Sequence, residues 1–140
     1  MADHFIKITI NTLIESPVEK VWEAWTTPEH IKKWNHASDD WHTPHAENDL
    51  RVGGKFSYTM AAKDGSLSFD FWGIYSEVTP LKKILSKLGD DRSIEVIFTD
   101  HGETTDIIET FDAEDQNTVE LQRAGWQAIL DNFKKYTESL

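Results

Sequence analysis

Residues Phe5 to Ile14 alternate between apolar and polar side chains, with Ile6, Ile8 and Ile10 on one face and Lys7, Thr9 and Asn11 on the other. That is the period-two pattern of a strand with one buried face. Ser16-Pro17-Val18-Glu19 then sets a capping serine, a proline at the first helical position and a glutamate three residues after the cap, which predicts a helix start. Val18, Val21, Trp22 and Trp25 follow as one apolar stripe at helical spacing. Thr27-Pro28-Glu29 opens a second short helix in which Ile31 and Trp34 face one way. Lys32 and Lys33 near its end suit the helix dipole. Residues 35 to 50 are polar and rich in histidine and carboxylates, and read as a long loop.

Period two returns after Gly53-Gly54. Phe56, Tyr58 and Met60 alternate with Ser57, Thr59 and Ala61, and Lys63-Asp64-Gly65-Ser66 predicts a hairpin turn. Leu67 to Val78 is a second long strand, aromatic on both faces, with Phe69 and Phe71 opposed to Trp72. Pro80 closes it. Lys83 to Leu88 fits a strand by its length and its place between strands. Ile94, Val96 and Phe98 alternate next, His101-Gly102-Glu103 turns, and Thr104 to Phe111 returns. Asn117 with Glu120 three residues later forms another cap pair. From there Val119, Trp126, Ile129, Phe133, Tyr136 and Leu140 recur at the spacings of a long amphipathic helix. A meander of strands cannot leave its apolar face wet, and the C-terminal helix is the only element long enough to cover it.

Composition narrows the picture. A chain of 140 residues suits one domain, here residues 1–140, and needs no disulfide or metal staple. Zero cysteines exclude disulfides, thiolate metal sites and cysteine nucleophiles. The net charge of −11 repels phosphate backbones and anionic headgroups, so no nucleic-acid or membrane partner is expected. With neither a leader-like start nor a long apolar run, the expectation is a cytoplasmic protein, monomer or homodimer.

Five segments, in this order, resemble one family. They are Ser16 to Thr26 (Ser-Pro-Val-Glu-Lys-Val-Trp-Glu-Ala-Trp-Thr), Thr27 to Trp34, Asp49 to Phe56 around Gly53-Gly54, Gly73 to Pro80, and Gly125 to Phe133. The chain is similar to small proteins homologous to the C-terminal domain of the Hsp90 ATPase activator, within the START-like (Bet v 1-like) helix-grip superfamily. The resemblance implies an α+β fold: a curved antiparallel sheet of about six to seven strands gripping a long C-terminal helix, with two short helices after the first strand. It also implies an apolar cavity between sheet and helix. Seven Phe, six Trp and three Tyr supply rigid rings that either fill such a space or frame it. The expected ligand contacts are Trp25, Trp34, Trp41, Phe56, Tyr58, Phe69, Phe71, Phe98, Trp126, Ile129, Leu130 and Phe133.

Candidate chemistry is sparse. His36, His42, His45, Asp39 and Asp40 crowd one stretch, but Pro44 and the loop composition deny it the rigid supporting shell a metal needs, so no metal or other cofactor is expected. The stretch reads instead as a lid or rim with Trp34 and Trp41 tucked beneath it. Asp70, Glu95 and Glu109 lie within strands and by alternation point to solvent, while His101 and Asp106 lie near a turn. No catalytic residue is therefore expected. Ser66 follows Gly65 but lacks the second glycine of a nucleophile elbow. Gly53-Gly54 has no following Lys-Ser/Thr and reads as a bulge or kink entering a curved strand.

Three functions stand in order. The first is a binding module for a small apolar or amphipathic molecule. The second is a partner of an Hsp90-type chaperone, against which stands the lack of room for a separate docking domain. The third is a cyclase- or hydrolase-type enzyme on an apolar substrate, which would need an inward-facing acid or base.

Overall fold

The computed structural model describes residues 5–140. Its elements are β1 (Lys7–Ile14), α1 (Val18–Thr26), α2 (Pro28–Trp34), β2 (Trp41–Asn48), β3 (Lys55–Ala62), β4 (Ser68–Thr79), β5 (Lys83–Leu88), β6 (Ser93–Asp100), β7 (Thr105–Asp112) and α3 (Val119–Glu138). One seven-stranded antiparallel sheet runs in the order β1-β7-β6-β5-β4-β3-β2 and curls into a half-barrel around α3. The α+β helix-grip expectation holds. Among the described residues no helix is long and apolar enough to cross a membrane.

The polar stretch before Gly53 contains a strand that periodicity missed. Trp41–Asn48 forms β2 and pairs with β3, with its register broken between His42 and His45. Pro44 sits inside that break. It is tolerated because β2 is an edge strand, where a missing N–H costs no ladder bond on the open side. The opposite edge, β1, is covered differently. Arg123 and Lys134 of α3 donate to the carbonyls of Thr9 (3.0 Å) and Leu13 (2.6 Å), and Gln127 donates to Asn11 at 3.3 Å. Alternate edge carbonyls of β1 thus find donors on the helix, which ties α3 to the β1 side of the sheet.

The starts of α1 and α3 differ from the capping patterns in detail, whereas α2 begins at Pro28 behind Thr27 as expected. Helix α1 begins at Val18 behind Pro17, with no side-chain cap. Ser16 is buried and its carbonyl accepts from the Thr105 hydroxyl, so it serves the sheet rather than the helix. Helix α3 is capped by Thr118, whose hydroxyl accepts from Leu121 N at 3.1 Å. Asn117 instead donates its side-chain amide to the Glu114 carboxylate. In β1, Ile8, Ile10 and Ile14 are buried, whereas Ile6 lies before the strand and is exposed. Gly53, at φ +85°, belongs to the tight turn from β2 into β3 rather than to a bulge. A Cβ on Gly54 would fall 1.9 Å from the Asp49 carbonyl oxygen, so only glycine fits there.

The antiparallel order sorts the connections between two ends. The β3–β4 turn, the β5–β6 turn and residues 113–118 gather at one end. Helices α1 and α2, with the C-terminal part of α3, close the other. There Phe133 is fully buried, with Trp25 and Trp34 edge-on to it at 4.8 and 4.9 Å. Trp34 also donates to the Ala24 carbonyl at 2.9 Å.

Candidate functional site

Between the concave face of the sheet and α3 lies a cavity of about 330 Å³. The sheet supplies Phe56, Tyr58, Phe71 and Tyr75, together with Ile84, Ile94 and Val96. Trp25 and Trp34 wall it at the closed end, and Trp126, Ile129 and Leu130 line it from α3. Phe69 and Met60 reach it from the β3–β4 hairpin, and Phe69 is 48% exposed, which marks that hairpin as part of the mouth. Each strand residue is there because alternation turns its side chain to the concave face. In β4 the inward set is Phe69, Phe71, Gly73 and Tyr75, while Trp72 faces out beneath the Lys55 ammonium. Gly73 has a steric reason: a Cβ would come within 2.9 Å of the Phe56 ring, which lies across the strand.

Why the space stays open follows from how the rings are engaged. Trp126 stacks on Phe111 with centroids 3.8 Å apart and planes 9° from parallel. Phe71 meets Trp126 edge-on at 6.0 Å, and Phe56 packs against Tyr58 and Tyr75 at 5.2 and 5.3 Å. Each ring is held by a neighbour on the wall, so none swings inward to fill the middle.

Three of the expected contact residues lie elsewhere. Phe98 and Phe133 are buried in the solid closed end, Phe98 against Trp22 and Trp25. Trp41 lies on β2 beside Phe69, 6.1 Å away, outside the lining. Periodicity finds the inward face of an element, but it does not say how far along the barrel packing stops and space begins.

One expectation is overturned. Glu109 faces inward. In β7 it shares the concave face with Thr105, Ile107 and Phe111, opposite Ile10 of β1 and Val96 of β6. It is 7% exposed, lines the cavity, and its carboxyl makes no hydrogen bond with the described residues. Burial without a partner pushes its pKa up to about 8. The signal was present in the sequence, because Glu109 lies midway between Ile107 and Phe111, two inward apolar positions each two residues away. Asp70 does point outward, where it accepts from Thr59, and Glu95 is ion-paired with Lys83 on the outer face.

The charged and amide groups at the cavity besides Glu109 are already engaged. Arg92 is paired with Asp90 through its Nε at 2.8 Å. Gln122 is buried and clamps residues 114–117: its amide donates to the carbonyls of Glu114 and Asn117, and its oxygen accepts from Glu114 N. Burial raises the Tyr58 and Tyr75 hydroxyls above their ordinary range, so both stay neutral. Ser86 is inward and buried, and like Glu109 its side chain makes no hydrogen bond with the described residues. Of the three histidines in residues 35–50, His36 is held below its ordinary pKa by burial, and His45 pairs with Glu47 at the surface. Among the described residues no cluster of three or more His, Asp or Glu could hold a metal ion.

This geometry can be set beside known proteins. A family model described as Activator of Hsp90 ATPase homolog 1-like protein matches residues 15–138. The chain belongs to that family. A solved protein from Cytophaga hutchinsonii, Chr148, is 52% identical, with a TM-score of 0.83 over 95% of this chain and 92% of its own. The AHSA1-like protein from Aeromonas hydrophila is 47% identical, with a TM-score of 0.89 over 96% and 93%. Protein NE0264 from Nitrosomonas europaea, at 20% identity and a TM-score of 0.81 over 99% and 97%, shares the fold. No curated protein matches the chain significantly. Family membership covers α1, α2, the whole sheet after β1 and all of α3, the elements that build the cavity.

Proposed function

We propose that this member of the family binds a small apolar or amphipathic molecule in the space between sheet and α3. The observation that carries the reading is the unfilled volume itself. A cavity of about 330 Å³, walled by rings that are each held against a neighbour, falls within the range of about 300–1,000 Å³ typical of small-molecule sites. Its apolar walls with a few inward polar groups match the make-up of such sites, in which burial supplies affinity and the polar groups fix orientation.

Native mass spectrometry of freshly purified protein, followed by denaturation and extraction, tests the reading. A copurified apolar molecule at near-stoichiometric occupancy is the expected result. A bare mass, together with no tryptophan-fluorescence response to small aromatic compounds, would overturn it.

Family membership favours a second reading, contact with an Hsp90-type chaperone. Stimulation of that chaperone's ATPase by the purified chain supports it, and no effect at high concentration removes it.

A further inference from the structure

The inner surface of the half-barrel carries one group that the fold itself does not explain. Glu109 stands on β7 with Ile10 beside it on β1 and Val96 beside it on β6, both buried and apolar. A carboxyl in that setting gains nothing for packing and loses its hydration with no hydrogen bond in return. No described residue offers it a hydrogen bond. Among the described residues the only cation lining the cavity, Arg92, is held by Asp90, and the other carboxylate there, Glu114, accepts from Gln116 and Asn117.

We propose that Glu109 is the recognition group of the cavity and that the ligand is a neutral, mainly apolar molecule carrying a hydroxyl group, whose hydroxyl pairs with the Glu109 carboxyl. This inference rests on the cavity-binding reading above and names its ligand class. The chemistry runs as follows. Burial keeps the carboxyl largely protonated at neutral pH, so it presents one O–H donor and one carbonyl acceptor. A hydroxyl is also one donor plus acceptor, and the two pair with no net charge left in the apolar space. A carboxylate ligand would bring a buried negative charge beside Glu109 with no free cation to balance it, and a protonated amine would have to lose its own hydration in the same walls. Fatty acids are thereby disfavoured, although their chains suit the walls. Ser86, two strands away on β5 and also lacking a protein partner, offers a second and weaker hydroxyl contact.

A matched set of ligands separates the possibilities: methylnaphthalene, naphthalenemethanol, naphthoic acid and naphthylmethylamine, substituted at the same ring position. Each is titrated by calorimetry or tryptophan fluorescence against the full chain and against Glu109→Leu and Glu109→Gln. In the wild type the alcohol binds about tenfold tighter than the naphthoate and the amine. In Glu109→Leu the affinity ratio of alcohol to methylnaphthalene falls about tenfold. Glu109→Gln, which keeps a donor and an acceptor, retains most of that ratio. Methylnaphthalene binds all three proteins alike, which certifies that each variant folds with its cavity intact. If methylnaphthalene binds but the ratio is the same in Glu109→Leu, or if naphthoate or the amine is the tightest ligand, this inference is overturned and the cavity reading stands. Failure of all four compounds to bind the wild type overturns both.

Discussion

The two ends of the half-barrel are built from the same kinds of residue and end up in opposite states. At the closed end Trp25, Trp34 and Phe133 meet within 6 Å of one another in edge-on and stacked contacts, Phe98 joins them edge-on through Trp25 at 5.9 Å, and Phe133 has no exposed surface. At the open end Phe56, Tyr58, Phe71 and Trp126 are equally aromatic but press against their own walls and leave the middle empty. The difference lies in what crosses the sheet. Helices α1 and α2 cap one end, so rings from three sides converge. At the other end only the first turns of α3 and a few turns of chain face the sheet. Aromatic content therefore does not distinguish a core from a pocket. The number of elements converging on the rings does.

Four substitutions test that contrast. The largest effect is expected at the closed end, where Phe133→Ala removes a ring packed on every side and costs about 3–5 kcal/mol in chemical denaturation. Loss of less than about 1 kcal/mol would show that the closed end is not solid.

Glu109 comes next, read as a pH dependence. Its folded pKa is raised to about 8, so the unfolded chain releases the proton first as pH rises. Stability contributed by the neutral carboxyl is thus full below the ordinary carboxylate range, declines as pH rises toward 8 and levels off above it. Glu109→Gln removes that slope. The variant should gain about 3 kcal/mol relative to wild type between pH 5 and pH 8, measured by urea unfolding at a series of pH values. Parallel curves would place the carboxyl in water.

Phe71→Ala sharpens the comparison from the open side. Phe71 borders empty space, so its loss should cost only about 1–2 kcal/mol while weakening the binding of methylnaphthalene. A cost equal to that of Phe133→Ala would erase the distinction between the two ends. The smallest effect is expected at Gly125, where an added Cβ meets nothing within 4 Å. Gly125→Ala should stabilise α3 by about 0.5–1 kcal/mol through helix propensity alone, visible as a modest rise in Tm.

Most elements were legible along the chain because their periodicities are local properties. The stripe of Val18, Val21, Trp22 and Trp25, the alternation of Phe56 with Tyr58, and the long repeat from Val119 to Tyr136 each point to the element that forms. Strand β2 was not legible, because its polar residues and Pro44 suit only an edge, and an edge exists only once the sheet is assembled. Helix starts erred by a residue where the capping group was engaged elsewhere, as with Ser16 and Asn117.

The sequence by itself determined which side of most elements would be apolar, that the elements would order as strand, two short helices, meander and long helix, and that the chain would carry many rings and no cysteine. Only the tertiary structure decided which rings would close on one another, where α3 would leave the sheet uncovered, and that Glu109 would face inward without a partner. The physical reason is that a residue's face is set by its neighbours two to four positions away, whereas cavities and unpaired buried polar groups are set by distant segments meeting. In Glu109 the two disagree, because an acidic side chain suits water by its own chemistry while the register of β7 between β1 and β6 turns it to the inside.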